Sequence, residues 1–245
     1  MTHVWRVLLA MNGIVPGHMR PWRWAVILGS IAGYYLVLAP RPTPSLALWY
    51  FAGATLLHYV YLFGMFATNG WSETLRARWG EAGGYRVHEG WMAFVFLHNG
   101  MSIGYLCWVT GGMGMAGAAL PSPVPAALAA PAALAVVVGL GTKVWATLIV
   151  GIGAYYYHDL FLERAGGDFR REGPYRWLRN PMYTVGHLHA YGVALWYGSV
   201  WGLAAAATNQ ALVLLFNALV EQPHVRRVHL ASAVHRGVTT AAPDE

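Results

Sequence analysis

Along the chain, long apolar runs alternate with short polar segments in which arginine, proline and glycine gather. The runs at residues 22–39, 45–68 and 91–110 each approach the about 20 residues that a helix needs to cross a bilayer. Three transmembrane helices are predicted there. A fourth run, residues 124–162, is interrupted by Gly139, Gly141, Thr142 and Lys143. As one straight helix it would extend about 60 Å, roughly twice the hydrocarbon thickness, so it forms either two spans or one span with an extension. The last run, residues 183–220, has Gly198, Ser199 and Gly202 near its middle and predicts a helical hairpin.

Basic residues choose between the two forms of the fourth run. They cluster at Arg6, Arg20 and Arg23, in a loop between spans with Arg76, Arg78 and Arg86, and between residues 164 and 179. Placing all three clusters on the cytoplasmic side requires residues 124–162 to cross an odd number of times. The expected form is a single crossing that continues along the interface past Lys143. The fold class predicted is an all-α integral membrane protein of about six transmembrane helices, with seven as the competing count. Residues 1–120 carry the N-terminal spans. Residues 121–245 carry the long helical element 124–162, a cytosolic loop 163–182, the hairpin 183–220 and a tail. The uncharged, Gly- and Pro-rich residues 111–125 are expected as an external loop.

Composition agrees: 57% of residues are apolar and only 11% charged, against about 25% charged in an ordinary soluble domain. The net charge of +6 lies in segments flanking apolar runs, which favours anionic lipid headgroups over nucleic acid as partner. Cys107 is the only cysteine, so an intramolecular disulfide and a thiolate zinc cluster are excluded. The N-terminal MTHVWRVLLAMNGIVPGH has no small-residue cleavage site and is expected to remain on the protein. The histidines show no metal-binding spacing: His187 and His189 fall on different faces of a helix. His58 and His98 are expected to hydrogen-bond between helices.

The stretch GPYRWLRNPMY, residues 173–183, departs most from its apolar surroundings. Pro174 and Pro181 each remove a backbone donor and restrict the residue before them, so the stretch is a shaped loop rather than one helix. Arg170, Arg171, Arg176 and Arg179 either anchor it to lipid phosphates or line a site. After it come the hairpin and then VEQPH, residues 220–224; before it lies GAYYYHDLF, residues 153–161.

Taken in that order, the segment RNPMYxxG and the VEQPH ending resemble the membrane methyltransferases, the superfamily of isoprenylcysteine carboxyl and phospholipid methyltransferases. The E-x-P-H ending and GAYYYHDLF are most similar to the phosphatidylethanolamine N-methyltransferase branch. Many members carry two adjacent acids where this chain has Glu221 and Gln222. The resemblance implies S-adenosyl-L-methionine as cofactor. It assigns Arg179, Asn180, Pro181, Tyr183, Gly186, Glu221 and Gln222 to the cofactor side of the site. Glu221 would take the donor's amine or ribose, Arg179 its carboxylate, and Tyr183 or Trp177 would stack on it. A G-x-G where the cofactor approaches backbone is met by Gly151 and Gly153, with Gly139 and Gly141 as the alternative pair. His158 beside Asp159 is the expected base, with Glu221 and His224 as runners-up. Arg170 and Arg171 would hold the phosphate of a membrane phospholipid whose amine is methylated at the cytoplasmic face. Three other functions stay open: an isoprenylcysteine or small-thiol methyltransferase, a sterol-type reductase using NADPH, and a non-enzymatic scaffold.

Overall fold

The computed structural model describes residues 2–14, 21–67, 70–112, 126–163 and 172–227. Among them all regular structure is helical. The helices are α1 (Thr2–Met11), α2 (Pro21–Gly33), α3 (Pro44–Phe66), α4 (Trp71–Val109), α5 (Ala126–Val150), α6 (Ile152–Tyr155), α7 (His158–Leu162), α8 (Leu188–Tyr197) and α9 (Val200–Phe216). Among the described residues, four helical segments are long and apolar enough to cross a membrane: α3, α4, residues Leu128–Val150 of α5, and the run Val200–Arg227 that α9 begins. The two other expected crossings are shorter elements. α2 continues into a π-helical turn at Tyr34–Leu38, and the ten residues of α8 rise about 15 Å, half the hydrocarbon thickness.

Local chemistry sets these boundaries. Pro44 begins α3, where its missing N–H costs nothing, and the Thr43 hydroxyl caps the helix by accepting from the Leu46 amide at 3.3 Å. The turn expected in the last run forms at Gly198, whose φ of 63° ends α8. Ser199 then caps α9, accepting from the Gly202 amide at 2.8 Å. α5 ends at Gly151, with φ 89° and ψ 159°, a region that only glycine adopts readily. Residues 126–162 thus form α5, a break, and the short helices α6 and α7 rather than one straight helix.

One expectation is corrected. Arg76, Arg78 and Arg86, read as a loop between spans, lie within α4, which turns sharply at Gly80 (φ 68°, ψ 170°). The segment holds helix formers without an apolar run, so hydropathy alone does not register it. In the same part of α4, Glu89 receives a buried ion pair from Arg23 of α2 at 3.0 Å.

Two ends of the bundle can be told apart. At one, Thr110 at the close of α4 shares a 2.6 Å hydroxyl contact with Ser199 in the hairpin turn. At the other, Phe66 at the end of α3 packs its ring against Tyr157 and Phe216. α9 runs from the first end to the second, carrying Glu221 to the end where Tyr157 and the 173–183 loop lie. α5 and α8 approach closely: a Cβ on Gly139 would strike the His189 backbone, and one on Gly192 would meet the Ala132 carbonyl at 2.7 Å. Large apolar side chains such as Trp49, Leu56 and Val137 remain on the outside, as suits a lipid-facing surface.

Candidate active site

The loop between α7 and α8 is built from two proline turns. Gly173, at φ 55°, leads into a short 3₁₀ turn, Gly173–Arg176, with Pro174 buried in its first turn. The absence of a side chain at Gly173 also lets the loop lie against Trp145 and Ile149 of α5. The second turn closes at Pro181: the Tyr183 and Thr184 amides both donate to the Asn180 carbonyl at 3.1 Å, and the Gly186 amide donates to the Pro181 carbonyl at 2.7 Å. This winding explains the RNPMYxxG spacing, because Gly186 must come within 2.9 Å of that carbonyl at its would-be Cβ.

Tyr183 leaves this turn toward the end of the last helix. Its hydroxyl donates to Glu221 Oε2 at 3.0 Å, and the Asn217 amide donates to the same oxygen at 2.8 Å. Asn217 is buried, and its Oδ1 accepts from Asn180 Nδ2 at 2.8 Å and from Gln222 Nε2 at 2.9 Å. One asparagine thus ties the loop to the helix that carries Glu221. The helix widens to a π turn over Asn217–Glu221, a distortion found often at functional sites. Glu221 Oε1 accepts no hydrogen bond from a described residue, so half of the carboxylate is available to a ligand.

Tyr157 completes the cluster. Its hydroxyl stands 3.4 Å from that of Tyr183, and since Tyr183 commits its single proton to Glu221, Tyr157 is the donor of that pair. Burial, and then the Glu221 charge, push the Tyr157 phenol well above its ordinary pKa, so it remains a donor. Its backbone lies in the left-handed region at φ 56°, a conformation costing about 1–3 kcal/mol for a residue with a side chain.

The remaining expected residues fall around this cluster at different ranges. Pro181 and Gly186 are buried in the turn, and Arg179 projects from it into solvent, making no hydrogen bond or ion pair with a described residue. Gln222 serves Asn217 rather than standing as a second acid. The space above Gly151 is open, and Gly153 faces the His158 Cβ at 3.4 Å. Gly139 is taken up by the α5–α8 contact, while Gly141 faces open space. His158 bonds Asp159 at 3.2 Å, packs edge-on against Tyr85 of α4 and is 38% exposed. No contact among the described residues joins His158 to Glu221. His224 is buried just beyond the carboxylate. Arg170 and Arg171 lie outside the described residues. Both non-site histidines bond between helices as expected: His58 accepts from Asn99 at 2.5 Å, and His98 meets Tyr50 at 2.9 Å and Ser30 at 3.0 Å.

Tyr157, Tyr183, Asn217 and Glu221 come from separated parts of one continuous stretch, and that stretch has known relatives. Residues 127–231 match the phospholipid methyltransferase family. The resemblance drawn from RNPMYxxG and VEQPH therefore holds. Similar curated proteins are phosphatidylethanolamine N-methyltransferases from Laccaria bicolor, 30% identical over 94 residues (37% of this chain, 10% of that protein), and from Schizosaccharomyces pombe, 32% identical over 80 residues (33% and 9%). That of Kluyveromyces lactis is 31% identical over 97 residues (39% and 11%). The chain spans about a tenth of the length of these relatives. No solved structure matches it.

Neither Asn217 nor Tyr157 stands out in the sequence as a member of the cluster. Asn217 stands in an otherwise apolar run; the one available signal is its place four residues before Glu221, on the same helical face.

Proposed function

We propose that the protein is an S-adenosyl-L-methionine-dependent methyltransferase acting on the amine of a membrane phospholipid headgroup such as phosphatidylethanolamine. The observation that carries this reading is the Glu221 carboxylate, fixed on one oxygen by Tyr183 and Asn217 and open on the other. A carboxylate so held accepts strong charge-assisted bonds from an amine or a ribose hydroxyl. Arg179, exposed on the loop next to Asn180, would supply a cation for a carboxylate on the same ligand. Gly151, with open space at its Cβ position, lets a ligand approach backbone.

When bound, the donor supplies a methyl group on a positively charged sulfur, displaced in line by the acceptor nitrogen as the C–S electrons return to sulfur. The protein's part is to align the two reactants, exclude water and remove a proton from the acceptor ammonium. His158 takes that proton at its Nε2, with Asp159 bonded to Nδ1 and orienting the ring. Glu221 and His224 are the runners-up for this role. Tyr183 and Asn217 fix the position of Glu221, and the Tyr157 and Tyr183 hydroxyls stay protonated throughout. Because the acceptor is tethered by acyl chains and the donor is water-soluble, the site belongs at headgroup depth on the cytoplasmic side, where the arginine clusters gather.

Lipid analysis of cells expressing the protein tests the proposal. Monomethyl, dimethyl or choline headgroups above the empty-vector level are expected. A panel of prenyl-cysteine and thiol acceptors that is methylated while lipids are not would transfer the assignment to the isoprenylcysteine branch.

A further inference from the structure

Tyr157, Tyr183 and Lys143 of α5 line a common cavity of about 130 Å³. Lys143 lies about two helical turns before Val150, within the apolar span. Its ammonium makes no hydrogen bond or ion pair with a described residue, and the described residues that line the cavity include no carboxylate. His58, His187 and His189 line the same space. An ionisable side chain inside a span is costly without a partner and marks a site by default.

The hydrogen bonds around His58 determine what this space offers. Asn209 Nδ2 donates to Asn99 Oδ1 at 2.7 Å, which turns the Asn99 amide nitrogen toward His58 Nδ1. His58 Nδ1 is therefore an acceptor, and its proton sits on Nε2. That buried N–H has no partner, and His187 Nε2 is likewise unpartnered. A cation and an imidazole N–H, both unsatisfied and with no acid among the lining residues, present an anion site. Apolar walls from Phe96, Ile103 and Val213 complete it.

Resting on the methyltransferase reading above, we infer that Lys143 and His58 hold the phosphodiester of the lipid substrate. Two observations favour a lipid phosphate over the donor's carboxylate. At about 130 Å³ the space is close to that of cavities that admit a benzene-sized ligand, which suits a phosphate and its short linker better than a whole adenosyl donor. Tyr157 and Tyr183 form part of its wall, and the Tyr183 hydroxyl donates to Glu221. In an ethanolamine headgroup the amine lies two carbons from the phosphate, so a phosphate at Lys143 directs the amine toward that wall. Arg170 and Arg171 are then not the principal phosphate ligands.

The test uses the purified full chain in detergent with dihexanoyl-phosphatidylethanolamine, with a dodecyloxy-ethylamine amphiphile that lacks phosphate, and with inorganic phosphate. Binding is followed by tryptophan fluorescence. Lys143→Gln should weaken the short-chain phospholipid by about tenfold or more and leave the phosphate-free amine unchanged, while Lys143→Arg stays within about threefold of wild type. Inorganic phosphate should compete with the phospholipid in wild type and not in Lys143→Gln; if it binds as tightly as the phospholipid, the site serves free phosphate and the lipid assignment is overturned. In turnover, the variant should raise the KM for lipid and leave that for S-adenosylmethionine unchanged. Unaltered phospholipid binding by Lys143→Gln, or a loss confined to S-adenosylmethionine, overturns the inference. Lys143→Met serves as the second variant, and since the ammonium has no described partner, both should melt no lower than wild type. Wild-type protein that binds the phospholipid through Lys143 yet transfers no methyl group would sink the methyltransferase reading and leave the phosphate site standing.

Discussion

Replacing Tyr183 by phenylalanine removes one hydroxyl from the cluster and tests how Glu221 is held. Its 3.0 Å bond to Oε2 is one of two on that oxygen, the other coming from Asn217 at 2.8 Å. A hydrogen bond to a charged group contributes about 1.5–3 kcal/mol net. If the bond serves to aim Oε1 at the methyl donor, its loss should weaken donor binding by about ten- to a hundredfold, less where Asn217 alone keeps the carboxylate in place. The assay is calorimetric binding of S-adenosylhomocysteine, which cannot turn over, to protein in lipid nanodiscs. Tyr183→Phe, Glu221→Gln and the double variant form a cycle. Because the hydroxyl acts through the carboxylate, the double variant should bind no more weakly than Glu221→Gln alone, giving a coupling of about 1–3 kcal/mol. Additive losses would mean that Tyr183 and Glu221 contact the ligand independently, and the proposed positioning role would be wrong.

The close approach of α5 and α8 predicts a contrast between neighbouring glycines. Gly139→Ala should destabilise the protein by about 1–3 kcal/mol, since its Cβ meets the His189 backbone, whereas Gly141→Ala should be neutral or stabilising by up to about 1 kcal/mol; thermal melting in detergent separates the two. Gly151→Ala, at φ 89°, should lower stability by about 1–3 kcal/mol in the same measurement although the space around its Cβ is open. Glu89→Ala strands the buried Arg23 and should cost about 3–5 kcal/mol, with Arg23→Met on the Glu89→Ala background recovering much of it.

Much of this arrangement is legible in the sequence because hydropathy and breakers act locally. The runs that became α3 and α5, the stop at Gly198–Ser199 and the proline-shaped loop follow from residue types at single positions. The helical character of residues 71–90 does not, because helix formers without an apolar face leave hydropathy unmoved. The site divides the same way. Glu221 and the RNPMY turn stand out as polar groups at the ends of apolar runs, and the family resemblance links them. Asn217 is invisible because an asparagine in a span is more often a packing group, and only the bonds to Asn180, Gln222 and Glu221 reveal it as the junction. Lys143, His58 and His187 are remote in sequence and converge only when α3, α5 and the loop before α8 surround one cavity. Spacing rules read neighbours along a helix; they have no access to a cluster assembled across three elements.

Methyl transfer that depends on Glu221 is the central claim to test. Purified protein in phosphatidylethanolamine vesicles, given methyl-labelled S-adenosylmethionine, should move label into the lipid phase as methylated headgroups, and folded Glu221→Gln protein should lose at least about tenfold of that rate. Label in lipid at equal rates from both proteins, or none from well-folded wild type, would contradict it.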